Sequence, residues 1–148
     1  MVTFELPWNP FNPLDTGPCI KFSVTRFLDD MEDGKRIGLE FPDPPTPTAL
    51  IDTGSPFTII NKVLAKTSNL MLTNPVFPIR TLNGNCDCEE YCGSMSFPSS
   101  GLPAIPAMRI LAREFYGEAS HSCLIGRDIL KHWKITFDGH AKTVTIAA

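Results

Sequence analysis

Ala49-Leu50-Ile51-Asp52-Thr53-Gly54-Ser55 sets one carboxylate at the end of an apolar run, directly before a glycine turn. Ala49 to Ile51 read as a buried strand, since a short unbroken apolar run shields both of its faces from water. Gly54 permits the tight backbone turn that brings Asp52 out into a cleft. Further along, Cys123-Leu124-Ile125-Gly126-Arg127-Asp128-Ile129-Leu130 has a similar exit: a buried strand, a glycine, an arginine and residues able to begin a short helix. A bare Asp-Thr-Gly carries little information, because these residues occur wherever a strand enters a turn. The chain holds a second copy in Leu14-Asp15-Thr16-Gly17-Pro18, which follows Asn12 and Pro13 rather than an apolar strand. Asp15 therefore reads as a turn residue, and Asp52 as the carboxylate with a chemical task.

The ordered pair of segments resembles the retropepsin-like aspartic proteases, the family of retroviral proteases and their single-domain relatives, over residues 19–148. The resemblance implies an all-β fold: a closed β-barrel with a flap hairpin and one short C-terminal helix, behind a proline-rich arm over residues 1–18. It implies a catalytic Asp52 supported by Thr53, Gly54 and Ser55, with Thr53 hydrogen-bonding across a dimer axis. Gly126, Arg127 and Asp128 become structural support. In retroviral relatives the corresponding arginine pairs with an acidic residue just after the catalytic turn, but Pro56 and Phe57 stand there in this chain. Arg127 is left to pair with Asp128, with the N-terminal arm or with nothing.

Length decides the assembly. A chain of 148 residues builds one core but not two lobes of ordinary domain size, and too little chain separates Asp15 from Asp52 to form a lobe between them. The second carboxylate must come from another copy, so the expected active form is a homodimer with Asp52 of each subunit at a two-fold axis. Two carboxylates at close range retain one proton between them. The ionised member can take a proton from water as it attacks a peptide carbonyl, while the protonated one donates to the developing oxyanion. That chemistry requires no metal and no organic cofactor. The Ser55 hydroxyl is expected to hydrogen-bond the Asp52 carboxylate, favouring its charged form.

The substrate is expected under a flap. Phe77 to Leu82 reads as a strand, Asn83-Gly84-Asn85 as a turn and Tyr91 to Phe97 as a returning strand, with Leu82, Asn83 and Gly84 as substrate-binding residues. An extended polypeptide would pair there through its backbone, leaving alternate side chains for pockets. Cys86-Asp87-Cys88-Glu89-Glu90 falls at the expected tip, acidic and thiol-rich where small residues are anticipated. The five cysteines lack the paired spacing of a zinc site, and no nucleophile-plus-base pattern surrounds His121, His132 or His140.

A hydrophobic fraction of 43%, a charged fraction of 20% and a net charge of −3 suit a globular domain and offer no case for nucleic acid. No apolar run is long enough to cross a membrane, and Met1 to Pro7 lacks the basic start and apolar core of a secretory signal, which points to the cytoplasm. Elsewhere the pattern implies an irregular arm over residues 1–18, a half-buried strand over Ile20 to Thr25, and a turn at Asp33-Gly34 within Asp29 to Lys35. A return over Arg36 to Phe41 and a stiff loop over Pro42 to Pro47 follow. Ala107 to Ala112 reads as a strand, Asp128 to Trp133 as a helix with one apolar face, and Ile135 to Gly139 with Thr143 to Ile146 as a hairpin. Two functions follow from this reading: a dimeric aspartic endopeptidase, and a non-catalytic peptide-binding or assembly module on the same fold.

Overall fold

Short apolar strands need neighbours on both edges, and here they find them by wrapping the sheet back on itself. The computed structural model describes residues 1–9, 11–12, 17–115 and 121–148. In chain order the elements are β1 (Thr3–Pro7), β2 (Cys19–Lys21), β3 (Ser23–Thr25), α1 (Leu28–Arg36), β4 (Thr48–Ile51), β5 (Ile59–Asn61) and α2 (Lys62–Thr67). There follow β6 (Met71–Thr81), β7 (Gly84–Ser96), β8 (Ile105–Arg113), β9 (Cys123–Ile125), α3 (Arg127–Leu130), β10 (Lys134–Asp138) and β11 (Thr143–Ala147). Strand makes up 46% and helix 14%, so the fold is mostly β.

The large sheet runs β2-β4-β9-β5-β8-β7-β3, with β6 added on β7. Its two ends, β2 and β3, are consecutive pieces of one segment. Phe22, between them, donates its N–H to Pro47 O at 3.0 Å. The run Ile20 to Thr25 is therefore two strands with different partners, β4 and β7. This break closes the sheet into a nearly complete barrel. Phe22, Ile60, Met95, Ile110, Ile125 and Ile129 are almost wholly buried inside it.

A second, three-stranded sheet has the order β1-β11-β10. The expectation of an irregular arm is thus corrected: β1 pairs antiparallel with β11, Leu6 opposite Val144. Leu6, Val144 and Ile146 join the main core, which explains why a proline-flanked segment becomes ordered. Asp15 lies outside the described residues.

Two helices were not anticipated. Asp29 to Arg36 is helix, not a turn, and no strand returns over Arg36 to Phe41. Asp29 and Asp30 sit in its first turn and Lys35 and Arg36 in its last, the arrangement that complements a helix dipole. The chain reverses later, at Gly38 (φ +88°), where Leu39 N donates to Gly34 O at 2.9 Å, a Schellman-type ending. Gly34 serves packing: a Cβ there would meet the Phe41 ring at 2.7 Å. The second unexpected helix, α2, is capped by Asn61, whose side chain accepts from Val63 N at 3.0 Å. The expected helix near Asp128 is a single turn ending at Leu130, and Trp133 lies beyond it, edge-on to Phe97 at 4.8 Å. Among the described residues no helix is long and apolar enough to cross a membrane.

Because β1 seals one side of the core, Leu6→Ala should cost about 2–5 kcal/mol of stability, read as a lowered urea midpoint. An unchanged midpoint would mean that the first strand is not part of the folding unit.

Candidate active site

The two apolar runs singled out above lie side by side. β4 and β9 pair in parallel, Ala49 with Cys123 and Ile51 with Ile125, so Asp52 and Gly126 leave the sheet at the same end. Asp52 N donates to Ile125 O at 3.0 Å. The strand after the loop, β5, returns antiparallel on the other edge of β9. Residues 52–58 therefore form a loop straddling the end of β9.

Its conformation is held from within and from below. Gly54 N donates to Asp52 Oδ1 at 3.0 Å, and Ser55 N to Asp52 O at 3.2 Å. Gly126 passes so close beneath that a Cβ would lie 2.3 Å from Phe57 O. No other residue fits there. Arg127 N donates to Ser55 O at 2.9 Å, and its guanidinium reaches Thr53 O at 3.5 Å. Among the described residues the guanidinium of Arg127 thus bonds a loop carbonyl and no acidic side chain. Asp52 is half-buried, Thr53 and Gly54 are exposed, and Ser55 is buried.

Ser55 departs from expectation. Its hydroxyl donates to Phe57 O at 2.7 Å instead of to the Asp52 carboxylate. The buried hydroxyl satisfies a carbonyl two residues on, and the Gly54 amide takes the place beside the carboxylate. Ser55 thus supports the loop instead of tuning the carboxylate.

The reading of the sequence missed Thr58. It is fully buried, with its N–H on Asp128 Oδ2 at 2.9 Å and its hydroxyl on Asp128 Oδ1 at 2.7 Å. The same hydroxyl accepts from Gly126 N at 3.1 Å, and Asp128 Oδ1 also accepts from Ile129 N at 2.9 Å. One hydroxyl and one carboxylate join the loop to the Gly126-Arg127-Asp128 element. A threonine after an aromatic residue carries no local signal of this, since its partner lies 70 residues away.

The hairpin expected over the site is longer than anticipated. β6 and β7 pair from Met71–Cys92 to Thr81–Gly84, so Leu82 and Asn83 form the tip and Gly84, at φ +107°, closes it. Leu82 is fully exposed. Cys86 to Glu90 is not the tip but part of the returning strand, where Cys88 packs with Ile59, Ile79 and Leu111. Midway along its length the hairpin rests on the Asp52 loop, with Phe77 edge-on to Phe57 at 5.7 Å.

Between hairpin and barrel lies a cavity of about 490 Å³, lined by Lys62, Thr81, Asn83, Cys86, Glu89 and Arg113 among others. Asp52 does not line it. Lys62 Nζ contacts Glu89 Oε1 at 2.6 Å, and Tyr91 donates to Glu89 Oε2 at 2.5 Å. Lys62 and then Tyr91 hold the Glu89 carboxyl below its usual range, and Glu89 in turn holds Lys62 above its own. Burial, reinforced by Glu89, pushes Tyr91 up to about 12. Burial likewise pushes the Cys88 thiol up to about 11. Among the described residues no three His, Cys, Asp or Glu side chains gather to hold a metal ion.

The chain matches no protein-family model and no curated protein.

Removing the Thr58 hydroxyl strands the buried Gly126 amide and takes from Asp128 Oδ1 one of its two donors, leaving it the Ile129 amide. Thr58→Val should lose about 1–3 kcal/mol, and Thr58→Ser, which keeps the hydroxyl, should lose much less; a Val variant that loses no more than the Ser variant in denaturant titrations would show that the hydroxyl bonds do not hold the loop. A second expectation concerns alkali. The folded state keeps the Cys88 proton beyond the ordinary 9.0, up to about 11, so stability is full below that window and falls as pH rises through it. Cys88→Ala should make the fall in urea midpoint over this range shallower than in the wild type.

Proposed function

We propose that this chain is a retropepsin-like aspartic endopeptidase that works as a homodimer, each copy supplying one Asp52. The observation that carries the reading is the union of the Asp52 loop with the Gly126-Arg127-Asp128 element. The loop has no slack: a parallel strand pair, a backbone contact only glycine allows, and the Thr58–Asp128 bonds hold it, while Asp52 remains half-exposed at its mouth. A carboxylate held this firmly suits preorganised chemistry, because its position costs little when the transition state forms.

In the proposed dimer two Asp52 carboxylates share one proton. The ionised one draws a proton from a water molecule as its oxygen attacks the peptide carbonyl. The protonated one donates to the oxyanion, and the resulting tetrahedral species breaks to acid and amine as the protons return. Thr53 and Gly54, exposed beside Asp52, face the second copy. The substrate is an extended polypeptide, held by backbone pairing beneath the hairpin tip at Leu82, Asn83 and Gly84. Because the shared proton belongs to the pair, activity should follow a bell-shaped pH profile on the acid side, lost when both carboxylates are ionised and when both are protonated.

The test is cleavage of a mixed peptide library from acid to neutral pH, read by mass spectrometry beside Asp52→Asn. Cleavage that falls at least about a thousandfold in the variant would support the dyad. Equal cleavage by both proteins, or none by a wild type shown to be dimeric, would sink the proposal.

A further inference from the structure

The five cysteines are free thiols, and two of them are neighbours on one face of one strand. In β7 the exposed residues Asn85 and Asp87 alternate with Cys86 and Cys88, which turn inward as the period-two pleat requires. Cys88 is 2% exposed and packs with Ile59, Ile79 and Leu111. Cys86 is half-buried at the margin of the same cluster, and both border the cavity of about 490 Å³ between hairpin and barrel. Their thiols share a hydrogen bond. From β8, Arg113 donates a guanidinium N–H to Cys86 Sγ at 3.7 Å. A buried thiol can serve as a small apolar side chain, but that role calls for neither a second sulfur nor a cation beside it.

We propose that Cys86 and Cys88 are a peroxide-responsive thiol pair, Cys86 the sulfur that is oxidised and Cys88 the one that resolves it. The Cys86 thiolate attacks one oxygen of hydrogen peroxide and the O–O bond breaks. The sulfur becomes a sulfenic acid, and the departing hydroxide takes up the proton the thiol lost and leaves as water. Cys88 then attacks the oxidised sulfur. The S–S bond forms, the S–O bond breaks, and the hydroxyl departs with the Cys88 proton as a second water. Two thiols are oxidised to one disulfide while one peroxide is reduced to two waters.

The roles follow from position. Cys86 meets the cavity with a guanidinium at hand to donate to the departing hydroxide. Cys88 needs no access of its own, since the sulfur it must attack lies beside it. Burial, which pushes the Cys88 thiol up to about 11, keeps it protonated and inert to peroxide until then. The strand also yields where the bond needs it to. Residues two apart in an extended chain have Cα atoms about 6.4–6.8 Å apart, at the far end of disulfide reach, so closure requires Asp87 to leave the extended conformation. Opposite Asp87 stands Pro78, which has no N–H to give, and pairing with β8 begins only at Glu89. A disulfide closed this way is strained and hence readily reduced.

The test is peroxide treatment of the full chain followed by peptide mapping without reduction, and none of its outcomes depends on Asp52 or on cleavage. Trypsin releases residues 81–109 as one peptide; in a Cys92→Ser background its only sulfurs from cysteine are Cys86 and Cys88. That peptide should lose two hydrogens and regain them with dithiothreitol. In Cys88→Ala the sulfenic acid has no resolving thiol, and dimedone should trap it on Cys86. Arg113→Met should slow disulfide formation roughly tenfold, the loss of one charge-assisted hydrogen bond, and Arg113→Lys, which keeps a cation, should restore most of the rate. Circular dichroism identifies any variant that fails to fold. A wild type whose other cysteines oxidise while this peptide stays reduced overturns the proposal, as does Cys86 passing to a sulfinic acid without joining Cys88. Equal rates in wild type and Arg113→Met remove the arginine from the site.

Discussion

The closest backbone approach among the described glycines, Gly126 against Phe57, is the constraint on which the rest depends. Two strands from distant parts of the chain can share an end only if the loops leaving them pass within van der Waals contact, and a Cβ 2.3 Å from Phe57 O would forbid it. Once the contact is made, Thr58 and Asp128 become neighbours, and the buried threonine donates two hydrogen bonds to the half-buried carboxylate. Such bonds matter less for the energy they add than for what their absence would cost, since a buried group left without a partner bears its full desolvation penalty. The Asp52 carboxylate inherits its position from this lattice.

The barrel has a similar economy. The segment Cys19 to Thr25 serves as both ends of the large sheet, and the break at Phe22 lets one apolar ring occupy the centre while the flanking residues pair with different strands. The hairpin β6–β7 projects from this closed frame and touches the Asp52 loop midway along its length, through Phe77 and Phe57. On the returning strand, Lys62 and Tyr91 converge on Glu89, tying the strand to the start of α2. The body of the hairpin is held by packing and charge, while its tip is left exposed.

Much of this was legible in local pattern. The apolar run before Asp52, the run before Gly126, the hairpins and the mostly β fold follow from alternation and glycine placement, because strands declare themselves over a few residues. Asp33-Gly34 misled for a physical reason. The pair favours a turn in isolation, but Gly34 is helical here because Phe41 and Leu39 fold over it and need the missing side chain. Cys86 to Glu90 misled because turn chemistry marks where a hairpin can reverse but not how far the strands extend beyond it. The order of the first strand was illegible too, since its pairing partner lies at the opposite end of the chain.

The sequence by itself determined which residues could carry chemistry: an aspartate led in by apolar residues and followed by glycine, and a glycine-arginine-aspartate element after a second apolar run. Those features are local, and steric preference and hydrophobic burial express them within a few residues. Only the tertiary structure decided how they are joined. It directed the Ser55 hydroxyl to Phe57 O, Arg127 to the Thr53 carbonyl and Asp128 to Thr58, because each hydrogen bond is chosen among groups that meet only after the barrel has closed.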